Sequence, residues 1–192
     1  YRSEDKKRKR WADLLWFPDP FSCYEIKKLG ILSKYQPSEM SKVPRALRDP
    51  DEEWTPAFVV AMIMAFNTQI VKDPPARWRD VIKPGFEHRV GIEAPDISVY
   101  SLATVGAIAW SKIGGWGFFR ALKKKAAVFC EGGKILPNLA AGEISIGIMR
   151  DDTARESREE GTPIECVYPL DGSIPVPSTL AMRKWATWEC MA

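Results

Sequence analysis

The sequence predicts an α/β fold, and three observations lead to that class. Strand-like apolar runs alternate with helix-like segments along all 192 residues, which is the pattern of sheets covered by helices. The run at residues 57–67 is apolar at nearly every position, as in a strand buried on both faces of a sheet, although its Ala and Met residues leave a helix open. A composition of 45% hydrophobic and 28% charged residues is that of an ordinary globular protein and excludes disorder, collagen and coiled coil.

The first elements follow from apolar runs and the residues that end them. Residues 11–17 form an apolar run ended by prolines, as in a strand that enters a loop. Ser22 and Gly30 flank residues 23–29 and predict the N-cap and the C-terminal glycine of a helix. Residues 36–53 are polar and contain prolines, which predicts a surface loop with a helical turn, suited to covering a cleft.

The rest of the chain continues the alternation of strands and helices. Apolar runs predict strands at residues 57–67, 89–93, 126–130, 144–149 and 164–168. Helices are predicted at residues 74–81, where a turn enters a short helix, at 98–113, 118–125 and 134–141, and in the polar stretch that ends at Gly161. The glycines at 114–117 are expected to separate two of these helices. A turn at Gly172 leads to a last apolar segment at residues 174–182.

The net positive charge of the chain comes from its first ten residues. The net charge is +3, and the first ten residues hold six Lys or Arg against two Asp or Glu, whereas the others carry 22 against 23. Proteins that bind nucleic acid usually spread their basic residues over a face or groove. We therefore predict a solvated terminal cluster and no nucleic-acid partner. The most apolar run is shorter than the roughly 20 residues that cross a bilayer, so no membrane span is predicted.

Ligands of open α/β sheets bind beyond the carboxyl ends of the strands. Four loops follow predicted strands in this way, at residues 17–21, 95–101, 131–134 and 150–153. The third loop contains Gly132, which would allow a ligand to approach the backbone, although a plain tight turn explains it equally well. It lacks the spacing of a phosphate-binding loop, and no cofactor is predicted.

Two of these loops carry polar side chains that could contact a ligand. Ser98, Tyr100 and Ser101 lie at the start of a helix, where free N–H groups favour an anion or a polar oxygen. The alternative is that Ser98 only caps the helix. Asp151 and Asp152 could serve acid-base chemistry or bind a cation, or they could stabilise the start of their own helix.

The chain is rich in tryptophan but has few cysteine or histidine residues. The eight tryptophans are predicted to lie mostly in the core or in surface grooves, and Trp16 and Trp54 are predicted to line a ligand cleft because each adjoins a proline-rich loop. The four cysteines and the lone His88 have no zinc-binding spacing, so we predict no metal site. Four cysteines allow three disulfide pairings, and the sequence selects none of them.

In their order and spacing, several segments resemble the extracellular solute-binding proteins of ABC importers, in the branch that includes ferric-iron binders. The segments are ADLLWFPDP at 12–20, LGIL at 29–32, Trp54, FNT at 66–68, PPARW at 74–78, VGIEAP at 90–95, AAGEISIGI at 140–148 and PVPS at 175–178. The resemblance implies a type II periplasmic-binding-protein fold, a two-lobed clamshell that closes on a small solute and delivers it to a membrane permease. It also implies a periplasmic or extracellular location.

The resemblance further implies a division into lobes and a set of ligand contacts. The first lobe would comprise residues 1–68 and 170–192, and the second residues 69–169 with hinge segments at both ends. Members of the family are longer, so the first lobe is expected to be incomplete at both ends. Ser98, Tyr100 and Ser101 match the ligand-contacting helix start of the family, and residues Trp16 to Asp19 match a contact loop of the first lobe.

Iron binding is not expected, because the ferric-iron binders use two adjacent tyrosines where this chain has Arg150, Asp151 and Asp152. Two functions from different classes remain open. The first is a receptor that binds a small polar solute without chemical change. The second is an α/β enzyme that acts on a small phosphorylated or hydroxylated metabolite, with Asp151 or Asp152 as base.

Overall fold

The computed structural model describes residues 12–86, 89–125 and 127–184, and it confirms the α/β class. Five α-helices and seven strands lie in these described ranges. The chain divides into two compact units, one formed by residues up to Val59 and from Pro177, the other by Val60–Val176. The lobe boundaries given above stay a prediction. The basic N-terminal cluster, Trp11, His88 and Cys190 lie outside the described residues.

The first unit is built on a strand pair and one helix. Strand β1 (Leu14–Phe17) pairs antiparallel with the end of β7 (Ile174–Met182). Helix α1 (Pro20–Lys27) follows β1. The polar loop contains two short 3-10 helices, Ser38–Lys42 and Arg45–Leu47, in agreement with the predicted helical turn.

The start of α1 differs from the prediction. Asp19, not Ser22, is the N-cap, and its carboxylate accepts hydrogen bonds from the Ser22 N–H and the Ser22 hydroxyl, each at 2.8 Å. Pro20 then occupies the first helical position, where its missing N–H costs nothing. The helix therefore begins earlier than the serine suggested, because the aspartate before the proline was the stronger cap.

The second unit contains a mixed sheet. Its strands run in the order β6 (Ile164–Val167), β2 (Thr55–Asn67), β5 (Ile146–Arg150), β3 (Val90–Glu93) and β4 (Ala127–Cys130). Strands β5, β3 and β4 are parallel to one another, and β2 is antiparallel to both β5 and β6. The helices are α2 (Val99–Trp110), α3 (Gly115–Lys125), α4 (Ile135–Ala141) and α5 (Asp151–Glu159). A 3-10 helix, Trp78–Ile82, stands where the short helix was predicted.

Two predicted elements are corrected by the structure. Strand β2 is buried only from Val60 onward, and residues 57–59 are exposed, so burial on both faces holds for its second half alone. Helix α3 begins at Gly115 rather than at Phe118. Gly115 has a φ of 60°, a left-handed conformation that glycine adopts without strain, and this lets the chain turn sharply out of α2.

The core of the second unit requires glycine where strands meet helices. A Cβ atom on Gly147 in β5 would lie 2.7 Å from Ile135 Cγ2, and one on Gly91 in β3 would lie 2.5 Å from Ile144 Cδ1. These distances are too short for real contacts, so Gly147 allows α4 to pack closely on the sheet and Gly91 leaves room for the Ile144 side chain. This packing holds the start of α4 near the ends of β3 and β5.

Candidate functional site

A cavity of about 280 Å³ lies in the second unit, at the carboxyl ends of the parallel strands β3 and β5. This is the edge at which ligands of α/β sheets bind. Tyr100 from α2 lines it, as do the ends of both strands and the start of α4. The lining residues are Met62, Glu93, Tyr100, Gly133, Ile135, Leu136, Pro137, Ile148, Met149, Arg150 and Thr153.

Arg150 is the cation of this cavity, and its charge is already paired. Its Nε donates to Oδ1 of Asp152 at 3.0 Å, and its Nη2 donates to Oδ2 of the same carboxylate. Its guanidinium carbon lies 4.8 Å from the centroid of the Tyr100 ring, within the range of a cation-π interaction. The bond to Asp152 raises the pKa of Arg150 further, so the side chain stays charged.

Asp152 is held in its ionised form by these contacts. Partial burial opposes ionisation, but the hydrogen bonds from Arg150 and from the Thr153 N–H at 2.8 Å outweigh it and lower the pKa of Asp152. An ion-paired carboxylate of lowered pKa is a poor general base near neutral pH. The structure thus gives Asp152 the role of fixing Arg150 beside the cavity.

Asp151 points to a different place although it is the next residue. Its Oδ1 accepts from the Ala61 N–H at 2.9 Å and its Oδ2 accepts from the Tyr168 hydroxyl at 3.2 Å. Burial, the charge of Asp151 and this hydrogen bond raise the pKa of Tyr168. Asp151 therefore joins β2 to the segment after β6, and it is not among the described residues that line the cavity.

Tyr100 of α2 lines the cavity, whereas Ser98 and Ser101 hydrogen-bond to each other at the start of the helix. Ser98 is the N-cap, and its Oγ accepts from the Ser101 N–H at 3.3 Å. Both serines are buried, with 8% and 1% of their surface exposed. The capping interpretation of Ser98 is confirmed, and neither serine is among the described lining residues. Ligand contact by Ser98 and Ser101 stays a prediction.

The loop after β4 approaches the cavity through Gly133. Its N–H donates to Oε1 of Glu93 at 2.8 Å, and its φ of 74° is left-handed. Gly132, the residue selected from the sequence, is exposed one position earlier. Glu93 is not among the site residues predicted from the sequence. It is the last residue of β3, and this position at a strand end is the signal that could have indicated it. Met62 could not be found from sequence, because only strand pairing brings it to this edge.

The remaining predicted residues belong to the first unit. Trp16 is 65% exposed; its Nε1 donates to Ser178 Oγ at 2.6 Å, and its ring meets Phe58 edge to face at 6.1 Å. Asp19 is fully buried, and its carboxylate oxygens are both engaged by Ser22. Trp16 is therefore available to a ligand in this loop, whereas the Asp19 side chain is occupied as a helix cap.

Trp54 lines two neighbouring cavities of the first unit, of about 410 and 160 Å³. The turn before it is held by Lys27 of α1, whose ammonium lies 2.5 Å from Asp49, 2.6 Å from Asp51 and 3.8 Å from Glu53. Burial opposes the charge of Lys27, but the carboxylates of Asp49 and Asp51 raise its pKa. This ion-pair cluster fixes the position of the tryptophan.

Within the described residues, no group of three or more His, Cys, Asp or Glu side chains is placed to hold a metal ion. Among the helices described, none has the length and apolar character needed to cross a membrane.

Comparison with known proteins gives a family match over most of the chain. The model of the family described as "Bacterial extracellular solute-binding protein" matches residues 9–190. The spermidine/putrescine-binding periplasmic protein of Salmonella typhimurium is 24% identical over 179 residues, covering 82% of this chain and 49% of the relative. The protein of that name from Escherichia coli is 25% identical with the same coverage. The chain thus spans about half the length of the curated relatives it matches.

Solved structures share the fold. The ferric binding protein of Bordetella superposes with a TM-score of 0.79 at 20% identity, covering 99% of this chain and 64% of that one. The periplasmic binding protein AfuA of Actinobacillus pleuropneumoniae, with fructose-6-phosphate bound, gives 0.76 at 22% identity and covers 96% and 62%. The family and the fold are those of binding proteins rather than enzymes. The matches confirm the predicted resemblance, the predicted fold class and the predicted periplasmic or extracellular location.

Proposed function

Because the chain belongs to the bacterial extracellular solute-binding protein family, we propose that it is the solute-binding component of an ABC importer. It binds a small polar solute and delivers it to a membrane permease, without chemical change. The observation that carries the proposal is the cavity at the carboxyl ends of β3 and β5, which stands at the edge where the fold binds ligands. The engagement of Asp151 and Asp152 by other protein groups disfavours the enzyme alternative.

The charges around the cavity favour a solute that carries an amine. Arg150 is neutralised by Asp152, so the carboxylate of Glu93 is the lining charge without an opposite ion among the described residues. One oxygen of Glu93 accepts from Gly133, and this carboxylate has no other hydrogen bond among the described residues, so its second oxygen can meet a ligand. An ammonium group would meet Glu93 with a charge-assisted hydrogen bond. A phosphate would meet the same carboxylate with repulsion.

The apolar wall of the cavity suits an aliphatic chain. Met62, Leu136, Pro137 and Ile148 lie on it, and methylene groups gain free energy when such surfaces remove them from water. A small aliphatic polyamine combines ammonium groups with methylene stems. Two curated relatives bear names that state spermidine and putrescine binding, which supports this choice of solute class.

The test is a titration that compares the carboxylate at the end of β3 with one in the loop that follows. Glu93→Gln removes the charge in the cavity and keeps an acceptor for Gly133, whereas Asp96→Asn removes an exposed carboxylate three positions later. We expect putrescine or spermidine to bind the unmodified chain, and Glu93→Gln to weaken binding by about tenfold or more, as for loss of a charged hydrogen-bond partner. Asp96→Asn should bind normally.

Isothermal titration calorimetry measures these affinities, and fructose 6-phosphate and inorganic phosphate serve as comparison ligands. Equal affinity of Glu93→Gln and the unmodified chain for polyamines would contradict the assignment of Glu93. Tight binding of a phosphate-bearing ligand without polyamine binding would replace the proposed solute class.

A further inference from the structure

We propose that the second unit has a surface that binds anionic lipid bilayers, formed by the end of α2, the connector at residues 111–114 and α3. We call it the Trp110–Trp116 surface, after its two exposed tryptophans. It does not depend on the proposed solute function, and its residues are separate from those that line the cavity.

The apolar part of this surface consists of aromatic rings held in contact with one another. Trp110 is 82% exposed and Trp116 is 51% exposed, although large aromatic side chains are usually well buried on average. Their rings meet at 5.9 Å with an interplanar angle of 70°, and Trp116 lies 6.2 Å from Phe119. Trp110 is thus an exception to the prediction that the tryptophans lie mostly in the core or in surface grooves.

The connector that carries the rings is fixed by hydrogen bonds. The Nε of Arg79 donates to the Ile113 carbonyl at 2.7 Å, and the Ser111 hydroxyl donates to the Ile108 carbonyl at 3.2 Å. On the inner side of α3, Phe118 and Leu122 are buried in the core. The two tryptophans therefore project from a supported surface, and ordering them on binding costs little conformational entropy.

The charge around the rings is of one sign. From Ile97 to Lys125 the chain has five Lys or Arg and no Asp or Glu. Lys112, Arg120, Lys123 and Lys124 are exposed, and none of the four forms an ion pair with another described residue. A partner of negative charge would be attracted without breaking an existing pair in that part of the chain.

The combination of residue types favours a bilayer over a protein partner. Protein interfaces are rich in Trp but depleted in Lys. Anionic membrane surfaces attract clusters of Lys and Arg, and Trp is enriched where the headgroups meet the acyl chains. The Trp110–Trp116 surface has both properties, since it combines exposed aromatic rings with exposed lysines and an arginine. The periplasmic or extracellular location of the family places such membranes within reach.

The position of the surface leaves the cavity accessible. Tyr100 stands near the first turn of α2 and Trp110 is its last residue. The helix has 12 residues, and at 1.5 Å per residue it is about 18 Å long. A bilayer against Trp110 would thus lie at the end of α2 that is remote from the cavity.

The experiment is sedimentation of the full chain with vesicles. One preparation contains equal parts of phosphatidylglycerol and phosphatidylcholine, and the other contains phosphatidylcholine alone. We expect binding to the anionic vesicles that weakens with added salt. The double variant Trp110→Ala and Trp116→Ala should bind at least about tenfold more weakly, because two aromatic side chains no longer enter the interface. Arg120→Gln with Lys123→Gln should weaken vesicle binding about 25-fold, at roughly fivefold for each cation.

Two controls separate this surface from other sources of lipid binding. Tyr24→Ala removes an exposed aromatic side chain of α1 and should leave vesicle binding unchanged. A variant with Lys6, Lys7 and Lys9 changed to Gln tests the basic cluster at the start of the chain. Unchanged binding in the double tryptophan variant, or binding lost only in the N-terminal variant, would overturn the proposal. Absence of vesicle binding, or dimerisation that requires Trp110 and Trp116, would overturn it as well.

Discussion

Asp151 and Asp152 are adjacent in sequence and have unrelated partners. Asp151 accepts from Ala61 and Tyr168, whereas Asp152 pairs with Arg150 and accepts from the Thr153 N–H. The two side chains leave the first turn of α5 in different directions, so neighbouring carboxylates contribute to different parts of the unit. The prediction that they stabilise the start of their own helix agrees with α5 beginning at Asp151.

At the residue scale, we predict that Asp152→Asn lowers the free energy of unfolding at neutral pH by about 1 kcal/mol or less, as for a partly exposed ion pair. The pKa of Asp152 is lowered from 3.8, so its stabilisation is complete above that value and is lost as pH falls through the lower folded-state pKa. Urea unfolding at a series of pH values should show the difference between the two chains shrinking below about pH 4. Asp96→Asn is the control, and a pH-independent difference would contradict the role of the ion pair.

At the scale of elements, the packing of α4 on β5 depends on a missing side chain. Gly147 faces Ile135 Cγ2, and a Cβ there would also lie 3.6 Å from Leu139 Cδ2. Ile135 and Leu139 are buried and have little room to move. The same packing brings the start of α4 to the cavity, so the helix position and the shape of the site are set together.

We predict that Gly147→Ala lowers the free energy of unfolding by about 1–3 kcal/mol through overpacking. Gly106→Ala is the matched control, since nothing lies within 4 Å of its Cβ position and alanine favours a helix interior by about 0.5–1 kcal/mol. Equilibrium unfolding in urea should show changes of opposite sign in the two variants. A Gly147→Ala chain as stable as the unmodified one would show that α4 can shift without cost.

At the scale of the whole molecule, membership of a binding family predicts that the ligand stabilises the folded chain and is not chemically changed. A bound polyamine at a hundredfold excess over its Kd should raise the free energy of unfolding by about 2.7 kcal/mol. Mass spectrometry after prolonged incubation should recover the polyamine unchanged and in full. Ferric salt serves as a comparison, because the resemblance places Arg150, Asp151 and Asp152 where the iron binders have their tyrosine pair. A chemically altered polyamine would return the enzyme alternative to consideration.

The sequence by itself determined the order of the elements, because strands and helices have different apolar periods and their ends carry proline, glycine or capping residues. Thus the apolar runs around Ile92 and Ile148 were sufficient to locate β3 and β5. It also predicted the family resemblance, through the order and spacing of short segments. Small errors remained at helix starts, where Ser22 and Asp19 were both chemically able to cap α1.

Only the tertiary structure decided which side chains share a site. Met62, Glu93 and Arg150 meet at one cavity because β2, β3 and β5 are neighbours in the sheet. The hydrogen bond from Ala61 that occupies Asp151 spans 90 positions of the chain. Strand pairing and the directions of side chains depend on contacts between distant segments, and a local pattern contains no information about them. This is why the loops of the site could be predicted while the partners of Asp151 could not.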